Sequence, residues 1–344
     1  MDRDRACPGH RAPDAYAMIR GITRRLALAA GLIGTALALP AHAQEASWPT
    51  RPVRVIVPFG AGGTTDLTAR LITGEMTRRL GQPWIVENRA GAGGNIGSDV
   101  CAKSPPDGYT LCIGTISSHA INNAVYPRMP YDNLRDFAPI ALVSIQPNAL
   151  YVTASSPAKT VAELIALLKE HPGDLNFASS GVGTSIHLAG ELLTQMTGTQ
   201  AVHVPYRSSG ELMTELMAGN VQMAFDNLSS GLPLSRDGRI RLLGVASPTR
   251  VAIAPDVPTI AETLPGFESL TWGALFAPAG TPQAIIDRVN REINAALQTP
   301  EVAKRYEELG ITTRAMTPEE VRAFVVSETE RWGKVARTAN IRAE

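Results

Sequence analysis

The sequence predicts an α/β protein of two lobes, each a mainly parallel sheet flanked by helices, with a cleft between the lobes. Strand-like and helix-like segments alternate with short connections, which is typical of parallel sheets covered on both faces. The 301 residues after residue 43 suffice for about two domains. Two glycine-rich turns, PFGAGGTTD at 58–66 and SSGVGTSIH at 179–187, each lie between a strand and a helix.

The first series of elements begins with an apolar run, Val53–Val57, that predicts a buried strand. The next segment, Asp66–Leu80, has apolar residues at helical spacing, and Gly81 stops the helix. The remaining elements of this series are strands at 84–87 and 109–114, joined by a glycine-rich connection at 88–97 and a short helix that ends before Pro105.

A second series begins near residue 147. Thr160 is expected to cap its first helix, since a threonine hydroxyl accepts from the free N–H groups of a first turn. The predicted strands are 149–153, 175–178, 201–204, 221–226 and 240–246, and the predicted helices are 160–170, 184–196 and 209–218.

After residue 247 the alternation of strands and helices ends. Pro255, Pro258 and Pro265 mark an extended crossover. A strand at 271–276 and amphipathic helices at 282–297, 300–309 and 317–337 follow. The simplest architecture places residues 48–146 and 247–344 in lobe 1 and residues 147–246 in lobe 2.

Residues 1–43 have the pattern of a secretory signal. Arg24-Arg25 precedes an uncharged run, Leu26–Leu39, that is too short to span a bilayer, and Ala41-His42-Ala43 follows as a cleavage pattern. We expect export and cleavage after Ala43, with an uncleaved anchor as the alternative. Met18 is an alternative start, and Sec and twin-arginine export both remain open.

Charge and motif content exclude several functions. Residues 1–43 hold six of the 32 basic and three of the 32 acidic residues, which leaves a formal charge of −3 and no case for a nucleic-acid partner. The motifs GxGxxG, GxxxxGK[ST], HExxH and GxSxG are absent. Cys101 and Cys112 do not form a CxxC motif, so we expect no metal site. We also expect no cofactor. The spacing of the two cysteines is compatible with a disulfide and with two free thiols.

The two glycine turns carry the strongest functional signal. The first N–H groups of a helix lack intrahelical partners and, with the positive end of the helix dipole, form a site for an anion. Glycine at positions 60, 62 and 63 lets the backbone approach a ligand closely. Ligands of open α/β sheets bind beyond the carboxyl ends of the strands, where both turns lie. The residues therefore predict one anionic ligand held from both lobes.

Several segments together match one known family. They are WPTRP at 48–52, VIVPFGAGG at 55–63, ENRAGAGGN at 87–95, SPPDGYTL at 104–111, GVGTSIHL at 181–188, VPYR at 204–207 and FDN at 225–227. In this order, over essentially all of the chain after the signal, they resemble the tripartite tricarboxylate transporter substrate-binding proteins, also called the Bug family. The resemblance implies a type II-like periplasmic binding protein, a monomer without catalytic residues, that closes on a small carboxylate and serves membrane transporter subunits.

In that family, backbone amides and small hydroxyls of two facing loops hold the carboxylate. Carried over, the candidate ligand-binding residues are Phe59, Gly60, Ala61, Gly62, Gly63, Thr64 and Asp66 in the first loop, Ser179, Ser180, Gly181, Thr184, Ser185 and His187 in the second, and Ser117 and Asp226 after two other strands. Asp66, Thr184 and Ser185 are alternatively helix caps, and His187 alternatively supports its loop. Asp226 is suited either to accept from a ligand amine or hydroxyl or to bind a loop N–H.

Three functions remain open at this stage. The first is a receptor that delivers a solute to a transporter, and the second is a sensor subunit that delivers it to a signalling partner. The third is a secreted hydrolase in the same cleft, for which Ser118 with His119 or His187 would form a nucleophile–base pair. Neither glycine turn contains Arg or Lys, so a dicarboxylate, a tricarboxylate, an acidic amino acid and an aromatic acid all remain candidate ligands.

Overall fold

A computed structural model describes residues 48–338 and 341–342, and the elements below lie in the unit that begins at Pro49. The signal and cleavage site predicted for residues 1–43 lie outside the described residues. Nine strands occur in this part of the chain: β1 Val53–Val57, β2 Trp84–Asn88, β3 Thr110–Thr115, β4 Phe137–Thr153, β5 Asn176–Ser179, β6 Val202–Pro205, β7 Met223–Asn227, β8 Ile240–Val245 and β9 Leu270–Pro278.

The same residues contain ten α-helices: α1 Thr64–Leu80, α2 Asn95–Ala102, α3 Asn122–Val125, α4 Val161–Glu170, α5 Ser185–Thr197, α6 Ser209–Ala218, α7 Leu228–Arg236, α8 Gln283–Ala296, α9 Pro300–Leu309 and α10 Pro318–Thr338. Short 3₁₀ turns lie at Ala92–Gly94 and Ile260–Glu262, and a π-helical turn lies at Ser117–Ile121. Among the residues described, none of the helices is both long enough and apolar enough to span a bilayer.

The strands form one hydrogen-bonded path in the order β2-β1-β3-β9-β4-β7-β5-β6, with β8 pairing beside β4. The pairs β1–β2, β1–β3, β5–β6 and β5–β7 are parallel, as the alternation of strands and helices predicts. Strands β9 and β4 join these two parallel groups through antiparallel pairs. Residues 137–147 of β4 pair with β9, and residues 148–153 pair with β7 or β8, so β4 connects the two groups.

The central strands are buried on both faces. Leu150 and Phe225 pack in an apolar cluster with residues of α4 and α5, whereas their neighbours Ala149 and Ala224 pack in another cluster with residues of α6 and α7. Successive side chains of a strand point to opposite faces, so one strand contributes to both clusters. Each fully buried Leu or Phe stabilises the fold by about 2 kcal/mol. The α/β class predicted from the sequence is confirmed.

The elements that the sequence did not predict contain residues that disguise them. Strand β4 begins at Phe137, whereas the sequence predicted a strand only from residue 149. The earlier part was missed because Pro139 and Pro147 lack the N–H that a strand residue normally donates. A register shift follows Pro139, and Pro147 lies where the pairing of β4 passes from β9 to β7. Helix α7 contains Pro233, which is unusual inside a helix, and this segment carried no helix prediction.

Cys101 in α2 and Cys112 in β3 form a disulfide, with their Cα atoms 6.1 Å apart. Both residues are buried in the core of the first parallel group. Of the two alternatives that the sequence left open, the structure therefore has the disulfide, which suits an exported protein.

Candidate functional site

A cavity that is partly open to solvent lies beyond the carboxyl ends of β1, β3, β5 and β7. Fifteen of the described residues line it: Phe59, Gly60, Gly63, Thr64, Thr65, Thr115, Ser117, Ser180, Thr184, Ser185, Ile186, Ser208, Ser209, Asn227 and Thr271. Ten of these fifteen carry a hydroxyl and none carries a charged side chain. An ion in this cavity would therefore be met by hydroxyls, backbone N–H groups and helix dipoles.

Four helices begin at this cavity. The residues that precede their first turns are Gly63 of α1, Thr184 of α5, Ser208 of α6 and Asn227 of α7, and all four line the cavity. The N-terminus of a helix carries a partial positive charge and unpaired N–H groups, which attract anions. The cavity thus offers an anion the positive ends of four helix dipoles, although none of its lining residues has a cationic side chain.

Asp66 shapes the first loop, residues 59–66, from outside the cavity. The residue that precedes α1 is Gly63, which has no side chain to cap the helix, so Asp66 is not the cap that the sequence suggested. Its Oδ2 instead accepts from Gly62 N at 2.9 Å and from Arg70 Nε at 3.0 Å, and its Oδ1 accepts from Asn88 Nδ2 at 2.9 Å. Burial opposes the charge of Asp66, but these hydrogen bonds outweigh it and lower the pKa of the carboxyl.

The second loop, residues 179–187, is held by its own side chains. Thr184 Oγ1 donates to Gly181 O at 2.7 Å and accepts from His187 N at 3.2 Å, which makes it the helix cap. His187 Nδ1 accepts from Gly183 N at 3.2 Å, so this histidine supports the loop. Ser179 Oγ lies 2.6 Å from His203 Nε2 and also bonds to the backbone of Gly181.

His203 stacks on His187 with the ring centroids 3.8 Å apart. Burial, with a smaller contribution from His187, lowers the pKa of His203 to about 3, so its imidazole is neutral at physiological pH. The stacked pair of histidines lies against the second loop, to which His203 is linked through Ser179 and His187 through Gly183.

The two sides of the cavity also contact each other directly. Thr64 Oγ1 lies 2.6 Å from Ser229 Oγ, which in turn donates to Gln146 Oε1 at 3.0 Å. A side chain added at Gly60 would place its Cβ 3.0 Å from the Cβ of Ser208, so this glycine permits the first loop to approach α6 closely.

Asp226 lies at the end of β7, fully buried beside the cavity. Its Oδ1 accepts from Ser209 Oγ at 3.0 Å and from Asn227 N at 2.7 Å, while its Oδ2 has no hydrogen-bond partner. Burial raises the pKa of Asp226 to about 7, against the opposing effect of these two hydrogen bonds.

The predicted site residues fall into two groups. Those that line the cavity are Phe59, Gly60, Gly63, Thr64, Ser117, Ser180, Thr184 and Ser185. Those that lie outside the lining are Ala61, Gly62, Asp66, Ser179, Gly181, His187 and Asp226. Within the second group, Asp66, Ser179, His187 and Asp226 make hydrogen bonds that position the lining residues or their loops.

Lining residues outside the predicted set come mainly from other strand ends. They are Thr65, Thr115, Ile186, Ser208, Ser209, Asn227 and Thr271. Ser208 and Asn227 precede helices that follow β6 and β7. The rule that ligands bind beyond the carboxyl ends of the strands therefore applies to them as it does to the glycine turns. Thr271 lies on the antiparallel strand β9, and no local motif marks it.

Ser118 and His119 are paired but enclosed. Ser118 Oγ lies 2.9 Å from His119 Nδ1, the distance expected of a nucleophile and its base. Both residues are buried, Ser118 does not line the cavity, and the His119 ring stacks on Phe276. Burial lowers the pKa of His119 to about 3, and no described residue bonds to its Nε2. The pair therefore lacks both access to a substrate and a group that orients the base.

A sheet with a ligand-sized cleft at its strand ends is the architecture of solute-binding proteins, and solved structures share most of this fold. Rpa4515 from R. palustris, with adipate, is 39% identical with a TM-score of 0.84, covering 86% of this chain and 100% of its own. MatC (Rpa3494) from Rhodopseudomonas palustris, with bound malate, is 34% identical with a TM-score of 0.80, covering 84% and 99% of the two chains.

The chain belongs to the tripartite tricarboxylate transporter family receptors, whose family model matches residues 68–341. Protein BugT from Bordetella pertussis (strain Tohama I) is 38% identical over 319 residues, which is 92% of this chain and 97% of BugT. The resemblance inferred from the sequence segments is thereby confirmed. Members of this family are periplasmic solute-binding proteins that serve transport.

Proposed function

We propose that this protein captures a small organic carboxylate between two lobes and delivers it to the membrane subunits of a tripartite tricarboxylate-type transporter. The observation that carries the proposal is the convergence of four helix N-termini and ten hydroxyls on a cavity whose fifteen described lining residues include no cation. Each N-terminus contributes about 0.3–1 kcal/mol to the binding of an anion. The malate and adipate found with MatC and Rpa4515 are ligands of this chemical class.

The two lobes correspond to residues 48–146 with 247–344, and residues 147–246. The change in partner of β4 after Pro147 supports the first boundary, because the strand passes there from one parallel group to the other. The candidate ligand contacts are the predicted residues that line the cavity, together with Ser208, Ser209 and Asn227. Asp66, Ser179, His187 and Asp226 act by positioning them.

The protein acts in the periplasm as a monomeric receptor without catalytic activity. The signal pattern of residues 1–43, for which we propose cleavage after Ala43, supports this location, and the enclosed Ser118–His119 pair supports binding without chemistry. Closure of the lobes around the ligand would present the surface that the membrane subunits recognise.

Calorimetric titration and thermal unfolding of the purified protein test the proposal. The panel comprises succinate, malate, adipate, citrate, aspartate and nicotinate, with the dimethyl esters of succinate and adipate as uncharged controls. We expect at least one acid to bind and stabilise the protein, by about 2.7 kcal/mol at a concentration of 100 Kd, while the esters do not bind. Nuclear magnetic resonance of the recovered ligand should show no turnover. A folded protein that binds none of the acids would refute the proposal.

A further inference from the structure

Two adjacent serines at the start of α6 present opposite hydrogen-bonding groups to the cavity. Ser208 precedes the helix, Ser209 is its first residue, and both residues line the cavity. A serine hydroxyl has one proton to donate and lone pairs that accept. What each serine offers a ligand therefore depends on which of these is already used within the protein.

Ser208 uses one lone pair within the protein and keeps its proton. Its Oγ accepts from Glu211 N at 3.2 Å, as a helix cap does. No described residue accepts the Ser208 proton, so this hydroxyl is able to donate to a ligand oxygen. A carboxylate is a suitable partner, because it only accepts.

Ser209 uses its proton. Its Oγ donates to Asp226 Oδ1 at 3.0 Å, which leaves only lone pairs toward the cavity. Such a group repels a carboxylate oxygen and attracts a hydroxyl or amino proton. The polarity of Ser209 is thus the reverse of that of Ser208, one residue away.

The direction of the Ser209–Asp226 bond is fixed by the surroundings of Asp226. Oδ1 also accepts from Asn227 N at 2.7 Å, so it serves as an acceptor twice. Oδ2 has no partner, and a proton taken up by this buried carboxyl therefore resides on Oδ2. Oδ1 remains an acceptor whether or not Asp226 is charged, and the Ser209 proton stays directed toward it.

We propose that Asp226 is a positioning residue that makes Ser209 a hydrogen-bond acceptor, so that the cavity selects carboxylates carrying a hydroxyl or amino group close to the carboxylate. The carboxylate is met by Ser208 and the helix N-termini, and the neighbouring hydroxyl or amine donates to Ser209. This inference rests on the proposed function, because it concerns the choice among carboxylates in the same cavity.

Matched pairs of acids that differ by one hydroxyl test this selection in calorimetric titrations. The pairs are succinate and malate, glutarate and 2-hydroxyglutarate, and adipate and 2-hydroxyadipate. We expect the hydroxylated member of the best-bound pair to bind about tenfold more tightly. In Ser209→Ala this preference falls to about onefold, while the plain acid still binds.

Substitutions at positions 226 and 208 separate positioning from charge and from general loss of binding. Asp226→Asn retains an Oδ1 acceptor and should keep the preference, whereas Asp226→Ala frees the Ser209 proton and should shift the preference toward the plain acid. If Asp226→Ala does not fold, Ser209→Ala and Asp226→Asn still test whether the preference depends on Ser209 acting as an acceptor. Ser208→Ala is the matched control, which should weaken both members of a pair alike.

Three results would overturn the inference: equal affinity of the wild-type protein for both members, a preference that survives Ser209→Ala, or a preference lost in Asp226→Asn. Each leaves carboxylate binding intact. Failure of the proposed function would instead appear as no binding of any acid in the panel, which would remove the basis of this inference as well.

Discussion

Tyr126 Oη donates a hydrogen bond to Val182 O at 3.0 Å, and this contact joins the segment after α3 to the second glycine loop. The two residues belong to different proposed lobes. A Cβ added at Gly93 would lie 2.7 Å from the same Val182 oxygen, so glycine is needed there for the close approach. The contact therefore stabilises the arrangement in which the two loops face each other across the cavity.

Tyr126→Phe should weaken ligand binding by about threefold to tenfold. The substitution removes one hydrogen bond worth about 0.5–1.5 kcal/mol and leaves the aromatic ring in place. Since the bond joins the two proposed lobes beside the cavity, its loss should appear as faster dissociation, measured by stopped-flow or surface plasmon resonance.

Tyr306→Phe is the matched control for this prediction. Tyr306 Oη also donates to a backbone carbonyl, Val143 O at 2.9 Å, but both residues belong to the same proposed lobe. This variant should lose about 1 kcal/mol of stability and keep its affinity. Equal affinity losses in the two variants would contradict a closing role for Tyr126.

Gly183→Ala should reduce affinity at least tenfold. The φ angle of Gly183 is +79°, and a Cβ at this position would lie 2.7 Å from Asn122 Oδ1 and 3.0 Å from the Tyr126 ring. The loop would have to move away from the opposite lobe to relieve this overlap.

Gly198→Ala is the control, because φ is +65° there but no atom lies within 4 Å of the added Cβ. It should cost about 1 kcal/mol of stability without changing affinity, as calorimetry and chemical unfolding would show.

How much the sequence predicts depends on whether a signal is local. The α/β class, the helix cap at Thr160 and helix α6 follow from short-range patterns, and the structure agrees with them. Strand β4 was recognised only at its end, because Pro139 and Pro147 conceal an element whose hydrogen bonds are made with distant strands. Thr271 lines the cavity through the position of β9 in the sheet, which no local motif encodes.

For the glycine loops too, the sequence predicts which segments form the site but not the roles that depend on contacts between distant residues. Their spacing predicted a cleft, and eight of the predicted residues line the cavity. The sequence assigned Asp66 to the site as a helix cap or ligand contact, whereas its hydrogen bonds to Gly62 and Asn88 make it a support for the loop. The polarity of Ser209 depends on Asp226, 17 residues away in the chain, and is visible only once both are placed.

Asp66→Asn should destabilise the protein by about 2 kcal/mol and weaken ligand binding about tenfold. The amide retains one acceptor but replaces Oδ2, the atom that accepts from Gly62 N and Arg70 Nε, with a donor. The first loop would then lose the contact that fixes Gly62. Chemical unfolding and calorimetric titration measure the two effects.

An exposed ion pair supplies the control for the Asp66 variant. Glu308 pairs with Arg305 at 2.8 Å on the surface of α9, where both side chains are about half exposed. Glu308→Gln should change stability by less than about 1 kcal/mol and leave affinity unchanged. An Asp66→Asn protein that binds as tightly as the wild type would show that the loop holds its shape without this carboxylate.

The buried histidine His119 should make stability fall as the pH is lowered from 6.5 toward 3. Burial lowers its pKa from 6.5 to about 3, so between these values the unfolded chain binds a proton that the folded protein does not, which costs up to about 1.4 kcal/mol per pH unit. His203 acts in the same direction, whereas the pKa of Asp226, raised to about 7, gives an opposite slope between pH 3.8 and 7.

Urea unfolding of His119→Gln should therefore give a flatter pH profile than the wild type, although the variant is less stable at pH 7. Equal slopes in the wild type and in His119→Gln would contradict the prediction.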